Sequence, residues 1–186
     1  MSTPRPPQPA KLVIGVFLKD KSVFEEIAEK LTLAYGDVDI LSGWFDFNYT
    51  SYYEAEMGTP LFRRMIVFKK LIHQRALPEI KLLTNAIETE TKGNNGRRVN
   101  IDPGYMTPER FVLATGKNFS HRIYLDKGIY ADLTLMYQKG VFISLPWTYP
   151  DYGDDSLKAF LLRVRKKYML DLNRNHQTIT NNKSDL

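Results

Sequence analysis

The chain has 186 residues, of which 43% are hydrophobic and 25% charged, a composition typical of one globular domain with a sizeable core. Its formal net charge of +5 is weak support for an anionic partner. The absence of cysteine excludes a disulfide framework and a thiolate metal site, and it fits a cytoplasmic location. No apolar run approaches membrane-spanning length, so we expect no membrane association.

Composition divides the chain into three parts. Residues 1–9 form a proline-rich arm, which we expect to be disordered. Residues 10–172 contain the apolar patterns and are predicted to fold as a single α+β domain. Residues 173–186 are polar and are predicted to be a disordered tail.

The first elements of that domain are predicted to be a strand, a helix and a second strand. Lys11–Lys19 is a nearly continuous apolar run, which is typical of a buried central strand. Ser22 and Glu25 match a capping box, so a helix is predicted to begin there, with Gly36 as its C-cap. Val38–Phe47 is predicted to be the second strand. The helix would bury four residues: Phe24, Ile27, Ala28 and Leu31.

A third strand, a second helix and a fourth strand follow. Arg63–Ile72 is predicted to be the third strand, and Pro78 occupies the first position of a helix over Glu79–Thr89. Arg98–Ile101 is predicted to be a short fourth strand that ends in the segment Asp102–Tyr105. The second helix would bury Ile80, Leu83 and Ile87. This order of elements is that of a ferredoxin-like βαββαβ core.

The segment Lys117–Tyr152 predicts a three-stranded antiparallel meander appended to that core. Two loops of one form, Asp126-Lys127-Gly128 and Gln138-Lys139-Gly140, are typical of a type I turn followed by a left-handed residue. The predicted pairs are Leu125–Ile129, Ile123–Ala131, Arg122–Asp132, His121–Leu133, Tyr137–Val141, Leu135–Ile143 and Leu133–Leu145.

Alternation along these strands assigns their side chains to two faces. The face predicted to cover the core carries Ile123, Leu125, Ile129, Ala131, Leu133, Leu135, Ile143 and Leu145. The opposite, polar face carries Ser120, Arg122, Tyr124, Tyr130, Asp132, Thr134, Phe142 and Ser144.

Two further helices are predicted. Thr107-Pro108-Glu109 is typical of an N-cap and first turn, so we place a short helix over Pro108–Ala114. Asp154-Asp155 opens a C-terminal helix. Its predicted inward residues are Leu157, Phe160, Leu161, Val164 and Tyr168, and its predicted outward basic residues are Arg163, Arg165, Lys166 and Lys167.

Several long motifs resemble an uncharacterised prokaryotic family, domain-of-unknown-function 4416. They are Ala10–Gly15 (AKLVIG), Glu56–Gly58, Val99–Tyr105 (VNIDPGY), Lys117–Leu125 (KNFSHRIYL), Gly128–Leu135 and Pro146–Tyr152 (PWTYPDY). The resemblance implies no established activity. Members are often described as GTP-binding, but the G-x-x-x-x-G-K-[ST] loop is not present, because Asn118 follows Lys117.

The same motifs contain the candidate site residues. Asp102, Asp132 and His121 are candidates for catalysis, the two aspartates as metal ligands or proton carriers and the histidine as a general base. Asp102, at the end of a predicted strand, could also hold a substrate hydroxyl. Lys117 and Arg122 are candidates to bind phosphate. Four neighbours in these motifs are further ligand-binding candidates: Ser120, Tyr105, Tyr149 and Asp151.

Each motif also has a structural interpretation. Asp102 can cap a turn, and His121 can be a buried, hydrogen-bonded histidine. Lys117 and Arg122 can be a surface lysine and a paired arginine. The aromatic residues of Trp147–Tyr152 can form a plug instead of stacking on a base, and the same alternative holds for Tyr49, Tyr52 and Tyr53. The basic end of the last helix can complement the helix dipole instead of binding nucleic acid.

The leading functional hypothesis is a binding protein or enzyme for a small phosphorylated or nucleotide-like ligand, with Mg²⁺ as a candidate cofactor. The alternatives are a non-catalytic RNA- or protein-binding module and a structural subunit of an oligomer. The residues alone leave open whether the protein is an enzyme.

Overall fold

The computed structural model describes residues 2–50, 53–93 and 96–184, without the side chains of Ala55 and residues 174–184. The strands are β1 (Ala10–Leu18), β2 (Val38–Leu41), β3 (Phe45–Phe47), β4 (Leu61–Ile72), β5 (Val99–Thr107), β6 (Arg110–Thr115), β7 (Arg122–Asp126), β8 (Ile129–Gln138) and β9 (Val141–Ser144). The helices are α1 (Phe24–Tyr35), α2 (Glu54–Met57), α3 (Leu77–Glu90) and α4 (Asp155–Ser184). This mixture of helix and strand confirms the α+β class.

The strands of the described residues form one antiparallel sheet in the order β2-β4-β1-β5-β6-β8-β7, with β3 paired to β4 and β9 to β8. Helices α1 and α3 pack on one face, against residues of β1 such as Leu12 and Ile14. Helix α4 packs on the other face, against Val13 and its neighbours. Because β1 is covered on both faces, all nine of its residues are buried, as its continuous apolar run predicts.

Several local predictions in the first half are wrong. The side chain of Asp20, instead of Ser22, accepts the capping hydrogen bond before α1, in a 3-10 turn over Lys21–Val23. The predicted strand Val38–Phe47 is interrupted between β2 and β3, where the hydroxyl of Ser42 accepts a hydrogen bond from the backbone of Met65.

The Asp102–Tyr105 motif is not a turn, because it lies inside β5, where Asp102 pairs with Gly15 of β1. The backbone N–H and C=O of Ile101 bond to α3, away from β1. Pro103, two residues further on, points to the same edge, so its missing N–H removes no hydrogen bond of the β1 ladder.

The predicted helix over Pro108–Ala114 is instead strand β6. Thr107 pairs with Arg110, so Pro108 and Glu109 form a two-residue hairpin turn instead of a first helical turn. The run from Phe111 to Ala114 is buried between β5 and β8, which suits a central strand.

The predicted register is only partly right in the first hairpin, where Arg122–Asp132 and Ile123–Ala131 pair as predicted but Leu125 does not pair with Ile129. In the second hairpin it is shifted by one residue. Both loops are two-residue turns, with positive φ at Lys127-Gly128 and at Lys139-Gly140, as in type I′ turns. In the first hairpin, Asp126 pairs with Ile129, and an irregularity near Leu125 restores the predicted pairing of Arg122 with Asp132. The second hairpin lacks such a correction. Its pairs are Gln138–Val141, Tyr137–Phe142, Met136–Ile143 and Leu135–Ser144.

The predicted faces of the meander need a larger correction. Ile123, Leu125 and Ile143 are exposed, whereas Asp132 and Phe142 are buried. A bulge in the β6–β8 pairing, between Phe111 and Val112, changes the face that β8 presents. Residues before the bulge pack on the α3 side, and Leu135 after it packs against α4. Strands β7 and β9 also share one edge of β8, opposite β6, so β8 does not lie between them.

Helix α4 buries the five residues predicted to face inward. Of the basic residues predicted to face outward, Arg165 donates to the backbone of Pro108 and Lys167 bonds to Asp171. Contrary to the prediction, these two side chains therefore do not face solvent freely. The helical backbone continues to Ser184, through most of the tail predicted to be disordered. The side chains from 174 onward lie outside the described residues, and whether this tail docks stays a prediction. No helix in the described part of the chain is long and apolar enough to cross a membrane.

Candidate functional site

A gap between β5 and β6 creates the main cavity. Pairing of the two strands runs from Thr107 back to Gly104 and stops there. A Cβ atom on Gly104 would lie 2.5 Å from the backbone oxygen of Val112, so only glycine allows this close approach. Beyond that point the strands part and enclose a cavity of about 740 Å³.

Side chains of helix α3 supply hydrogen-bond partners to the unpaired edge of β5 inside the gap. Nζ of Lys81 donates to the backbone oxygen of Ile101 (2.8 Å), and the backbone N–H of Ile101 donates to Glu88 (2.7 Å). Both charged side chains are buried, although neither was among the residues of this helix predicted to be buried. Leu83, predicted to be buried, is exposed instead. The register of α3 therefore brings two charged residues to the cavity wall.

Asp102 occupies the middle of this wall. Its carboxylate lies 3.8 Å from Nζ of Lys81 and 3.9 Å from Nη2 of Arg63, distances of ion pairs but longer than hydrogen bonds. Among the described residues, no group donates a hydrogen bond to this carboxylate. Its side chain is 26% exposed, which leaves its oxygens accessible from the cavity.

Arg63 projects from β4 into the opposite wall. Nη1 of Arg63 forms a close ion pair with Asp151, and the guanidinium stacks 4.8 Å from the ring centres of both Phe47 and Tyr152. Only 4% of the Arg63 side chain is exposed. The aromatic rings and Asp151 therefore hold a buried cation beside Asp102.

Arg97 and Asn100 form a third part of the wall. Nη1 of Arg97 donates to Asn100 (2.7 Å) and lies 3.3 Å from Glu88, and Nη2 donates to Glu56 (2.7 Å). These contacts fix the guanidinium at the end of the cavity nearest the start of β5.

A second network lies behind the wall, around Asp132. Its carboxylate accepts from Nε of Arg122 (2.9 Å) and from Thr134 (3.2 Å), and it lies 3.2 Å from Nε2 of His121. The His121 ring stacks on Trp147 at 4.9 Å. Asp132 is 1% exposed, so its lone pairs are used by the protein and it is poorly placed to hold a ligand or a metal.

Tyr149 links this network to the cavity. Nη2 of Arg122 donates to the phenolic oxygen of Tyr149 (2.6 Å), so the phenol's own proton is left for another acceptor. Burial raises the pKa of Tyr149, and it also raises the pKa values of Tyr53 and Tyr152, with the negative charge of Asp102 adding to each effect. These three phenols are therefore neutral hydrogen-bond donors at physiological pH.

Unsatisfied polar atoms concentrate around the cavity. Seven buried side-chain polar atoms of the described residues have no hydrogen-bond partner. Four of these atoms belong to residues of the cavity wall: Nε of Arg63, Nε of Arg97, Nδ2 of Asn100 and the phenolic oxygen of Tyr152. Unpaired buried polar groups are uncommon, so their clustering indicates a polar binding site.

The structure brings some of the predicted site residues together and separates others. Those lining the cavity are Asp102, Lys117, Asp132, Tyr149 and Asp151. His121 and Arg122 lie behind it, where His121 is largely buried and hydrogen-bonded as its structural interpretation predicts. Ser120 is exposed, and Tyr105 packs on the α3 face of the sheet, away from Asp102.

Sequence reasoning missed Arg63, Lys81, Glu88, Arg97 and Asn100. One signal was available for α3: Lys81, Thr84 and Glu88 share a helix face with Ile80 and Ile87. The described residues contain no group of three or more histidine, cysteine or acidic side chains that could hold a metal ion.

Together the fold and the cavity define an α+β protein with an antiparallel sheet, split between two central strands to form a polar pocket. The family model described as Domain of unknown function (DUF4416) matches residues 8–168, and the chain belongs to this family. The match confirms the resemblance seen in the sequence motifs. No curated protein and no solved structure shows significant similarity to the chain.

Proposed function

We propose that the protein binds a small phosphorylated or nucleotide-like molecule in the cavity between β5 and β6. One observation carries the proposal: Arg63 and Lys81, only 4% and 10% exposed, present N–H donors without acceptors among the described residues. Lys81 has three N–H donors and uses one, to Ile101. Oxygen-rich anions supply acceptors to such groups in charge-assisted hydrogen bonds.

The balance of charges supports this choice of ligand. The cavity wall has four basic residues, Arg63, Lys81, Arg97 and Lys117, and four acidic residues, Glu88, Asp102, Asp132 and Asp151. Three of the acidic residues already accept hydrogen bonds from protein groups, and Asp102 is the exception. Arg63, Lys81 and Arg97 keep unused N–H donors in this wall, which favours a ligand rich in acceptor oxygens, such as an anion.

We assign the other predicted site residues according to their positions. Lys117 lies at the exposed rim, where it would attract phosphate as a point charge. Arg122 and Asp132 would position Tyr149 instead of touching the ligand. The aromatic rings of Tyr53 and Tyr149 would pack against the uncharged part of the ligand.

A thermal-shift screen of nucleotides and phosphorylated metabolites, with and without Mg²⁺, tests the proposal. A ligand at 100 times its Kd adds about 2.7 kcal/mol of stability. For a chain of this length we expect a rise in Tm of about 5–10 °C. If no phosphorylated compound raises the Tm, the proposal is wrong.

Variants locate the binding. Lys81→Met keeps the apolar stem but removes the ammonium, and we expect a loss of affinity of about 10- to 150-fold, the value of a hydrogen bond to a charged group. Lys117→Ala should weaken binding less, because its side chain is exposed. Lys166→Met, on the exposed face of α4, is the matched control and should bind normally.

We further propose that β1, α1, β2, β4, α3 and β5 form a ferredoxin-like core. The strand order β2-β4-β1-β5, its antiparallel pairing and the packing of α1 and α3 on one face support this assignment. We also propose a cytoplasmic location, which the absence of cysteine supports.

A further inference from the structure

Asp102 differs from every other acidic residue of the cavity wall. Asp132, Asp151 and Glu88 each accept hydrogen bonds from protein groups at close range. An ionised carboxylate offers about four lone-pair sites. For Asp102 no described residue uses these sites, although two cations lie 3.8 Å and 3.9 Å away. The two cations therefore hold the Asp102 side chain in place by charge attraction, while its oxygens remain free to accept hydrogen bonds.

The surroundings of Asp102 decide which donor fits. Arg63 and Lys81 already place two positive charges beside the carboxylate, so a cationic group of a ligand would meet repulsion from both. A neutral hydroxyl donates a hydrogen bond without that cost. The same two cations have unused donors, so an anionic group bound to them would lie next to the hydroxyl.

We propose, on the basis of the function proposed above, that Asp102 recognises a hydroxyl group of the ligand, which is a hydroxylated phosphate of the sugar phosphate or ribonucleotide class. The phosphate binds toward Arg63 and Lys81, and the sugar hydroxyl donates to Asp102. The phenols of Tyr53 and Tyr149 line the same cavity and pack on the sugar or base. Asp102 is thus a specificity-determining residue.

Calorimetric titration of the full chain with matched probes tests this assignment. The probes are inorganic phosphate, AMP, 2′,3′-dideoxy-AMP, ribose 5-phosphate and 2-deoxyribose 5-phosphate. We expect the hydroxylated member of at least one pair to bind about 10-fold or more tightly than its deoxy partner, the value of a hydrogen bond to a charged acceptor. A preference within the AMP pair alone indicates a nucleotide, and a preference within the ribose phosphate pair indicates a sugar phosphate.

The variant Asp102→Asn separates the two halves of the site. It removes the negative charge between Arg63 and Lys81, so inorganic phosphate should bind as well as before or better. The ratio of the affinity for a hydroxylated probe to that for its deoxy partner should fall toward one. Asp126→Asn, at the exposed end of β7, is the matched control and should keep the preference.

Each outcome decides between the two proposals. Equal binding of hydroxylated and deoxy probes by the natural protein overturns the role of Asp102 but leaves phosphate binding standing. An unchanged preference in Asp102→Asn has the same effect. Binding of no phosphorylated probe overturns both. If Asp102→Asn does not fold, Asp102→Glu, which displaces the carboxylate by one methylene, should also reduce the preference.

Discussion

Nε of Arg122 lies 2.9 Å from Oδ2 of Asp132, and the two residues are direct partners across β7 and β8. Because Asp132 is 1% exposed, removing either partner leaves a buried charge without its counterpart. We expect Arg122→Ala and Asp132→Ala each to lower the free energy of unfolding by about 3–5 kcal/mol. Urea denaturation measures the change. Arg163→Ala, on the exposed face of α4, is the control and should change the free energy of unfolding by less than about 0.5 kcal/mol. Equal losses of stability in all three variants would contradict a special role for the pair of Arg122 and Asp132.

Lys11 is a second buried charge, located in β1 under the C-terminal part of α4. Its Nζ lies 2.7 Å from Asp39 and 2.6 Å from Asp171, and its side chain is fully buried. We expect Lys11→Met to destabilise the protein by about 3–5 kcal/mol, because two mostly buried carboxylates lose their main partner. The exposed pair of Lys69 with Asp37 provides the control. Lys69→Met should cost about 0–1 kcal/mol in the same urea titration, and a comparable loss there would refute the argument from burial.

The same cluster predicts a pH dependence. Burial of Asp171 favours its neutral acid, but hydrogen bonds from Lys11 and Lys167 outweigh this effect and lower its pKa. An acid whose pKa is lower in the folded state stabilises the fold above its unfolded pKa, about 3.9, and this contribution is lost as the pH falls through the folded value. We therefore expect Asp171→Asn to be less stable than the natural protein at pH 7, and the difference to shrink below about pH 4. Thermal unfolding between pH 2.5 and pH 7 measures it; a gap that stays constant with pH would rule out this linkage.

Gly104 sets the point at which β5 and β6 separate. A Cβ atom there would lie 2.5 Å from the backbone oxygen of Val112 and 2.9 Å from Cδ2 of Leu113. Because the first of these neighbours is backbone, we expect Gly104→Ala to push the strands apart and to lower stability by about 1–3 kcal/mol or more. Gly43→Ala, where a Cβ atom meets nothing within 4 Å, is the control. Unfolding midpoints that fall equally for both variants would show that the close approach is unimportant.

The tail from residue 173 onward should contribute little to stability. Leu172 is 6% exposed and joins the core under α4, whereas the following residues are almost entirely polar. We expect deletion of residues 173–186 to leave the Tm nearly unchanged. Leu172→Ala should instead cost about 2–5 kcal/mol, as for other buried leucines. A drop of several degrees on deleting the tail would show that it docks.

The sequence predicts elements and first neighbours well where apolar residues decide the structure. The buried strand β1 and the inward residues of α4 follow from apolar periodicity. The predicted pairing of Arg122 with Asp132 holds because an irregularity near Leu125 offsets the one-residue error in the predicted loop. The register of the second hairpin could not be predicted, because a lysine in the sequence gives no sign of the positive φ that Lys139 adopts.

The site is harder to predict than the fold for a physical reason. Lys81 and Glu88 are buried because the edge of β5 beyond Gly104 lacks a strand partner and needs a donor and an acceptor. That need arises only when the sheet is assembled, and the local pattern in α3 shows only that Lys81 and Glu88 share a helix face with apolar residues. Asp102 was identified from its motif, although this motif is part of strand β5 and not a turn. Arg63 belongs to a largely apolar strand. A charged residue in such a strand was the sign, in the sequence, that the protein interior is polar at this point.

Strands β7 and β9 lie end to end along the outer edge of β8, with five and four residues respectively. Between them, the backbone oxygens of Leu133 and Thr134 accept hydrogen bonds from Trp147 and Thr148. The ten-residue strand β8 is therefore sealed along its length by three short pieces of chain. Long open strand edges can pair with strands of other chains and so lead to aggregation. Edges this short offer few unpaired backbone groups for such pairing. The segment Trp147–Tyr152, part of which lines the cavity, thereby also protects this edge of the sheet against the addition of further strands.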